Sequence, residues 1–91
     1  MSHHAFDNIF SNKIVEIERI VFDGHHTSDG KWYDQEKNEF VILLDGSAVL
    51  RFEDEFFEIE RGDYILIEKH KKHRVESTDK KKKTVWLAFF F

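Results

Sequence analysis

The sequence predicts an all-β domain, a sandwich or closed barrel of short strands, and three observations carry that prediction. Apolar segments rich in β-branched and aromatic residues recur along the chain, about eight of them, with turn signals roughly every ten residues. The central segment, Phe40-Val41-Ile42-Leu43-Leu44, is apolar on both faces of an extended chain, as a strand buried on both sides must be. No proline, repeat, linker or low-complexity run interrupts the series.

The whole chain sets bounds on this reading. Its 91 residues suffice for one domain. A chain of this size buries roughly 60–65% of its unfolded surface, so association with another chain is expected to help it. Ten phenylalanines supply much of the core and an apolar patch for a partner. The formal net charge of −4 argues against a nucleic-acid binder, whose footprint is a basic face. There is no cysteine, hence no disulfide and no thiolate chemistry. No apolar run reaches membrane-spanning length and no secretory signal is visible, so the expectation is a cytoplasmic protein without a membrane partner. His3 and His4, native or the remainder of a tag, are left out of the site.

Taken in order, residues 1–12 read as an N-terminal arm or one short helix over 4–10, with Ala5 and Ile9 on one side, and residues 13–91 as a single domain. Residues 13–22 read as extended, with a bulge where the alternation slips at Glu18-Arg19. Residues 23–30 form a polar loop holding His25 and His26. Adjacent residues of an extended chain face opposite ways, so these two read as exposed loop histidines rather than joint metal ligands. Asp45-Gly46 is a hairpin signal, with 47–52 as the return strand. Glu53-Asp54-Glu55 and Arg61-Gly62-Asp63 are turns around strands at 56–59 and 64–67. After a charged loop at 68–72, residues 73–77 are extended. A basic hairpin tip at 79–83 then leads into the apolar strand 85–91.

One residue stands out against this pattern. Glu39 heads the central strand, and alternation puts Val41 and Leu43 inward beside it, with Phe40, Ile42 and Leu44 on the opposite face. A carboxylate aimed into such an interior is costly unless it is paired, protonated or bound to a metal.

From Val15 onward the chain resembles a small single-domain cupin. The family's first motif carries a His-x-His pair, a glutamate and a closing glycine; here Glu39 and Gly46 keep the seven-residue spacing of the last two, and Tyr33 and Gln35 stand where the histidines usually stand. Thr27 falls where the opening glycine is expected. In the second motif Gly62 is the first glycine, Glu68 replaces the proline, His70 replaces the second glycine, and His73 matches the metal-binding histidine. The resemblance implies a cupin double-stranded β-helix, or jelly-roll, barrel. It also implies that Tyr33, Gln35, Glu39 and His73 converge in the barrel mouth as a ligand pocket.

Of these, Gln35, Glu39 and His73 are the candidate metal ligands, since imidazole, carboxylate and amide oxygen suit Fe, Mn, Ni or Zn. Tyr33 is the candidate acid–base or orienting group. Three states of the site follow: a bound divalent metal, a metal-free pocket hydrogen-bonding an organic ligand, or a structural Glu39–His73 pair. His70 reads as a surface residue, and Trp32 and Trp86 as core or dimer interface.

Cupins include oxygenases, isomerases, epimerases, lyases, storage proteins and sensor domains, so the fold does not fix the activity. The expectation is a binder of a small molecule, a divalent metal or both, acting as a sensor or accessory protein and forming a homodimer. The alternatives are a metal-dependent dioxygenase- or isomerase-like enzyme and a structural dimerisation domain.

Overall fold

Glu39, Val41 and Leu43 all point inward and are buried, as alternation requires. The structure, a computed structural model, describes residues 3–91, with side chains from Phe6 onward. Eight strands follow one another: β1 (His3–Ser11), β2 (Glu16–Asp23), β3 (Glu39–Asp45), β4 (Ser47–Phe52), β5 (Phe56–Glu60), β6 (Tyr64–Ile67), β7 (His73–Thr78) and β8 (Thr84–Phe90). They form two antiparallel sheets, ordered β1-β2-β8-β3-β6 and β5-β4-β7, in the jelly-roll arrangement. Ile20, Phe22, Val41, Leu43, Trp86 and Ala88 of the larger sheet meet Leu50, Phe52, Ile59 and Val75 of the smaller one in a single apolar core.

The structure corrects the sequence reading at five places. No helix forms over residues 4–10: β1 pairs with β2 from His3↔Asp23 to Ser11↔Glu16. So short a helix is marginal in isolation, whereas β2's free edge offers a full ladder of backbone partners. The bulge falls on β1, between Asn8 and Phe10, and not at Glu18-Arg19. β2 itself runs unbroken against β8 from Glu16 to Phe22.

Asp45-Gly46 is not a hairpin. β3 pairs with β6 and β8, while β4 pairs with β5 and β7, so this turn carries the chain from one sheet to the other. The tip at 79–83 likewise joins β7 to β8 across sheets. Local turn chemistry specifies a reversal of direction; which strand then receives the chain depends on which face must be buried. Finally, the outer face of β3 is not covered within the chain: Phe40 and Ile42 are only half-buried and Leu44 is 45% exposed.

No helix among the described residues is long and apolar enough to cross a membrane.

Candidate functional site

Three backbone features bring the predicted residues together at one end of the barrel. Tyr33 and His73 form an isolated bridge, the Tyr33 amide donating to His73 O at 2.7 Å and the His73 amide to Tyr33 O at 3.1 Å. The His70 amide donates to Gln35 O at 2.8 Å. Asn38 pairs with Phe91 in both directions, at 2.8 and 3.0 Å, and its side chain accepts from the Lys69 amide, fixing the entry to Glu39. The loop 31–38 is thereby tied to β7, to the 68–72 loop and to the end of β8.

Tyr33, Gln35, Glu39 and His73 accordingly line one cavity, closed below by Ile20, Phe22, Val41, Leu50, Val75 and Trp86. Its volume is about 70 Å³. That is room for roughly five waters.

The polar groups around this cavity are unevenly satisfied. Glu39 is 5% exposed, its carboxylate enclosed by the cavity wall. His73 Nε2 lies 3.6 Å from Glu39 Oε1, too long for a hydrogen bond. His73 Nδ1 lies 2.9 Å from Lys71 O. A carbonyl only accepts, so Nδ1 carries the proton and Nε2 is left to present a lone pair beside Glu39 when the ring is neutral. Gln35 Oε1 and Trp86 Nε1 are buried with no partner among the described residues. Tyr33 stands at the rim, 44% exposed, its ring centroid 5.8 Å from that of His73.

Other candidates fall elsewhere. His70 is exposed at the rim and pairs with Asp34 at 2.9 Å. His26 contacts Thr27 O, and His25 stacks on Phe22. Trp32 lies outside the barrel, with the guanidinium groups of Arg51 and Arg74 over its ring at 5.6 and 6.0 Å. Trp86 is core, and it is also a wall of the cavity. Among the described residues, no three His, Asp or Glu side chains form a cluster able to hold a metal, so a cation here would rest on Glu39, His73 and the Gln35 amide.

Two contributions escaped sequence reasoning, one from the pair Glu16 and Glu18 and one from Arg74. Glu16 and Glu18 share the inner face of β2, opposite Phe90 and Ala88, and so approach Glu39 across the sheet. Counting back by twos from Phe22 and Ile20 finds them; reading a bulge at Glu18 concealed it. Burial pushes the Glu18 carboxyl above its ordinary value of 4.5, the Glu16 carboxylate adds to the rise by charge and by a shared hydrogen bond, and the charge of Glu39 adds further. A carboxyl raised on folding contributes stability that is full below its ordinary value and lost as pH rises through the raised one. Glu18→Gln is therefore expected to melt with the wild type near about pH 4 and above it near about pH 7, as followed by circular dichroism.

Arg74 is the other. Alternation turns it away from the core, yet it is buried, because the loop at 27–31 folds over it. Nη1 donates to Ser28 O and Lys31 O at 3.2 and 3.1 Å, and Nη2 to Thr27 O at 3.0 Å. No local pattern marks it.

The chain matches the family model for the cupin domain over residues 19–90. Among solved structures it is similar to a protein of Ralstonia eutropha JMP134 provisionally assigned as a mannose-6-phosphate isomerase, at 33% identity over 97% of this chain and 83% of that one, with a TM-score of 0.94. It is also similar to a cupin superfamily protein of Desulfitobacterium hafniense DCB-2, at 20% identity over 98% and 77% of the two chains, with a TM-score of 0.83. A third is Fe(II)-HppE with the alternative substrate (S)-1-HPP, at 15% identity over 98% and 50%, with a TM-score of 0.81. The last two likenesses concern the fold alone. No curated protein matches the sequence.

Proposed function

The chain belongs to the cupin family, and on that premise we propose that it binds one divalent metal ion at the mouth of the barrel together with a small organic ligand beneath it. The observation that carries this reading is the buried acceptor Gln35 Oε1, which faces the cavity with no donor among the described residues, beside the buried carboxylate of Glu39 with His73 Nε2 at 3.6 Å. An unpaired buried acceptor costs roughly 1–3 kcal/mol, and a buried charge more. A cation relieves both. Glu39, His73 Nε2 and Gln35 Oε1 would hold it, a donor set that suits Fe, Mn, Ni or Zn. Glu16 and Glu18 add negative potential on the same inner face. A bound metal would supply Lewis acidity toward a ligand oxygen.

Trp86 Nε1 supplies the second half of the reading. A bare cation leaves this buried donor unsatisfied, whereas a ligand bearing an acceptor atom, such as a short carbonyl or carboxylate compound, satisfies it. The surrounding walls are aliphatic and aromatic, and the space takes only a handful of non-hydrogen atoms. A sugar phosphate fits poorly: it is far larger, and the cavity lining among the described residues contains no Lys or Arg to meet a phosphate dianion. The role that agrees with these features is a sensor or accessory binding protein rather than a sugar-phosphate isomerase. Tyr33 at the rim would orient the ligand.

The test is elemental analysis of protein carrying no added histidine tag and purified without chelator. The expected result is close to one equivalent of a first-row divalent metal, lost in Glu39→Gln and in His73→Ala. With metal in hundredfold excess over Kd, the wild type should gain about 2.7 kcal/mol of stability and neither variant should follow. Full metal content retained in both variants would sink the proposed site. A protein that refuses metal after reconstitution with Mn, Fe or Zn, yet is stabilised by short carboxylates, would favour the metal-free pocket.

A further inference from the structure

We infer that the open seam between β5 and β6 binds a short basic peptide segment in extended form, added as a strand to a sheet edge. β5 pairs with β4 alone and β6 with β3 alone, so each sheet ends here on an unpaired edge. The Arg61-Gly62-Asp63 turn joins the two strands, with the Asp63 amide donating to Glu60 O at 2.9 Å and the Glu60 amide to Asp63 Oδ2 at 2.8 Å. Beyond that turn, no backbone hydrogen bond crosses from one strand to the other among the described residues. A groove of about 510 Å³, lined by residues of both strands, takes the place of a ladder. Ligand clefts typically hold roughly 300–1,000 Å³. The groove shares no lining residue with the cavity at the barrel mouth, so the inference stands apart from the metal reading.

Backbone, side chains and charge each point to that occupant. An edge strand displays a row of N–H and C=O groups that another extended chain can complete. Edges guarded against pairing carry Lys, Pro or a bulge; β6, Tyr64-Ile65-Leu66-Ile67, has none of the three. Tyr64 is 70% exposed, Leu66 51% and Phe57 39%, which offers apolar contacts to alternate side chains of an added strand. The charged residues lining the groove are Glu55, Glu58, Asp63 and Lys71, three carboxylates against one ammonium, a net charge of −2. Glu60 and Arg61 of the adjoining turn cancel each other and leave that balance unchanged. Lys71 is turned onto the ring of Phe52, its Nζ 4.6 Å from the centroid, while Glu55 and Glu58 are exposed. This selects a cationic segment and repels both a nucleic acid and the same groove of a second copy.

The test titrates a fluorescent, end-blocked hexapeptide of alternating Lys and Val into the full chain, with binding read by anisotropy and the site by backbone hydrogen exchange. The expected Kd is about 100 µM or tighter at low salt. Bound peptide should slow exchange of amides in β5 or β6. Methylating the peptide's backbone nitrogens keeps its charge and removes its strand donors, and this form should bind about tenfold more weakly or worse. A peptide of alternating Glu and Val should lose at least as much. In the protein, Glu58→Lys should weaken binding of the Lys-Val peptide by about tenfold, with an unchanged circular dichroism spectrum because Glu58 is exposed. No binding of the Lys-Val peptide at about 1 mM overturns the inference. So does equal affinity for the methylated form, which would reduce the effect to charge attraction, or equal affinity of the Glu58→Lys variant. Exchange protection confined to the free edge of β1 or to the barrel mouth would place the peptide elsewhere and overturn it too.

Discussion

Gly46→Ala is expected to cost about 4 kcal/mol, the sum of a strained left-handed residue and a forced overlap. Gly46 has φ +82°, and a Cβ there would stand 2.6 Å from Thr84 Oγ1, 2.7 Å from Thr84 Cα and 2.8 Å from Lys83 O. Two of those three atoms are backbone, and Thr84 is fully buried with its hydroxyl donating to Ser47 O at 3.0 Å, so none can retreat cheaply. Small domains hold roughly 0.05–0.15 kcal/mol per residue, so the variant should lie close to its unfolding threshold, with Tm lowered by roughly 20 °C. Gly62→Ala is the internal comparison: φ is +92°, but nothing stands within 4 Å of the added carbon. It should lose only the conformational part, about 1–2 kcal/mol. Equal losses for the two glycines in urea titrations would show that the close approach at Gly46 does not matter.

Arg74→Met is expected to be nearly as damaging, at roughly 3 kcal/mol, through groups left buried and unpaired. The methionine keeps an apolar stem of similar bulk. It abandons the carbonyls of Thr27, Ser28 and Lys31, and leaves Glu76 without the guanidinium whose Nε lies 3.4 Å from Oε1. That last approach is a charge contact only, since neither atom completes a hydrogen bond. Arg74→Lys should recover little, because one ammonium cannot serve three carbonyls spread along a loop. The loop continues into Tyr33 and Gln35, so the loss should extend to the cavity, with weaker metal retention in Arg74→Met than in a surface control such as Lys37→Met. A variant with wild-type stability would show that the loop is held by other contacts, such as the Thr27 amide to Val75 O and the Val75 amide to Thr27 Oγ1.

The candidate site was legible in part, for identifiable reasons. Glu39 and His73 could be found because alternation and motif spacing are local quantities. Tyr33 and Gln35 were located by register with the family motif alone, and the loop that carries them is held in place by bonds to residues some 35 positions further on, His70 among them. Glu18 was within reach, since its inward direction follows from Ile20 and Phe22, but an assumed bulge hid it. Arg74 was out of reach. On an isolated strand it would face water, and only the fold of loop 27–31 makes it a buried anchor. The empty acceptor on Gln35 and the empty donor on Trp86 are facts of enclosure, which no pattern along a chain encodes.

By itself, then, the sequence determined the strands from Glu16 onward, the residues of β3 that point inward, and the glycines where the chain must turn. These depend on side-chain period and backbone sterics, which act between near neighbours. The tertiary structure alone decided which strands pair, turning Asp45-Gly46 from an apparent hairpin into a crossing between sheets and drawing residues 3–11 into β1. It also decided what the interior leaves unsatisfied and what the outer sheet leaves uncovered. Pairing and enclosure are settled by burying apolar surface among residues far apart in the chain, and that free energy has no local signature.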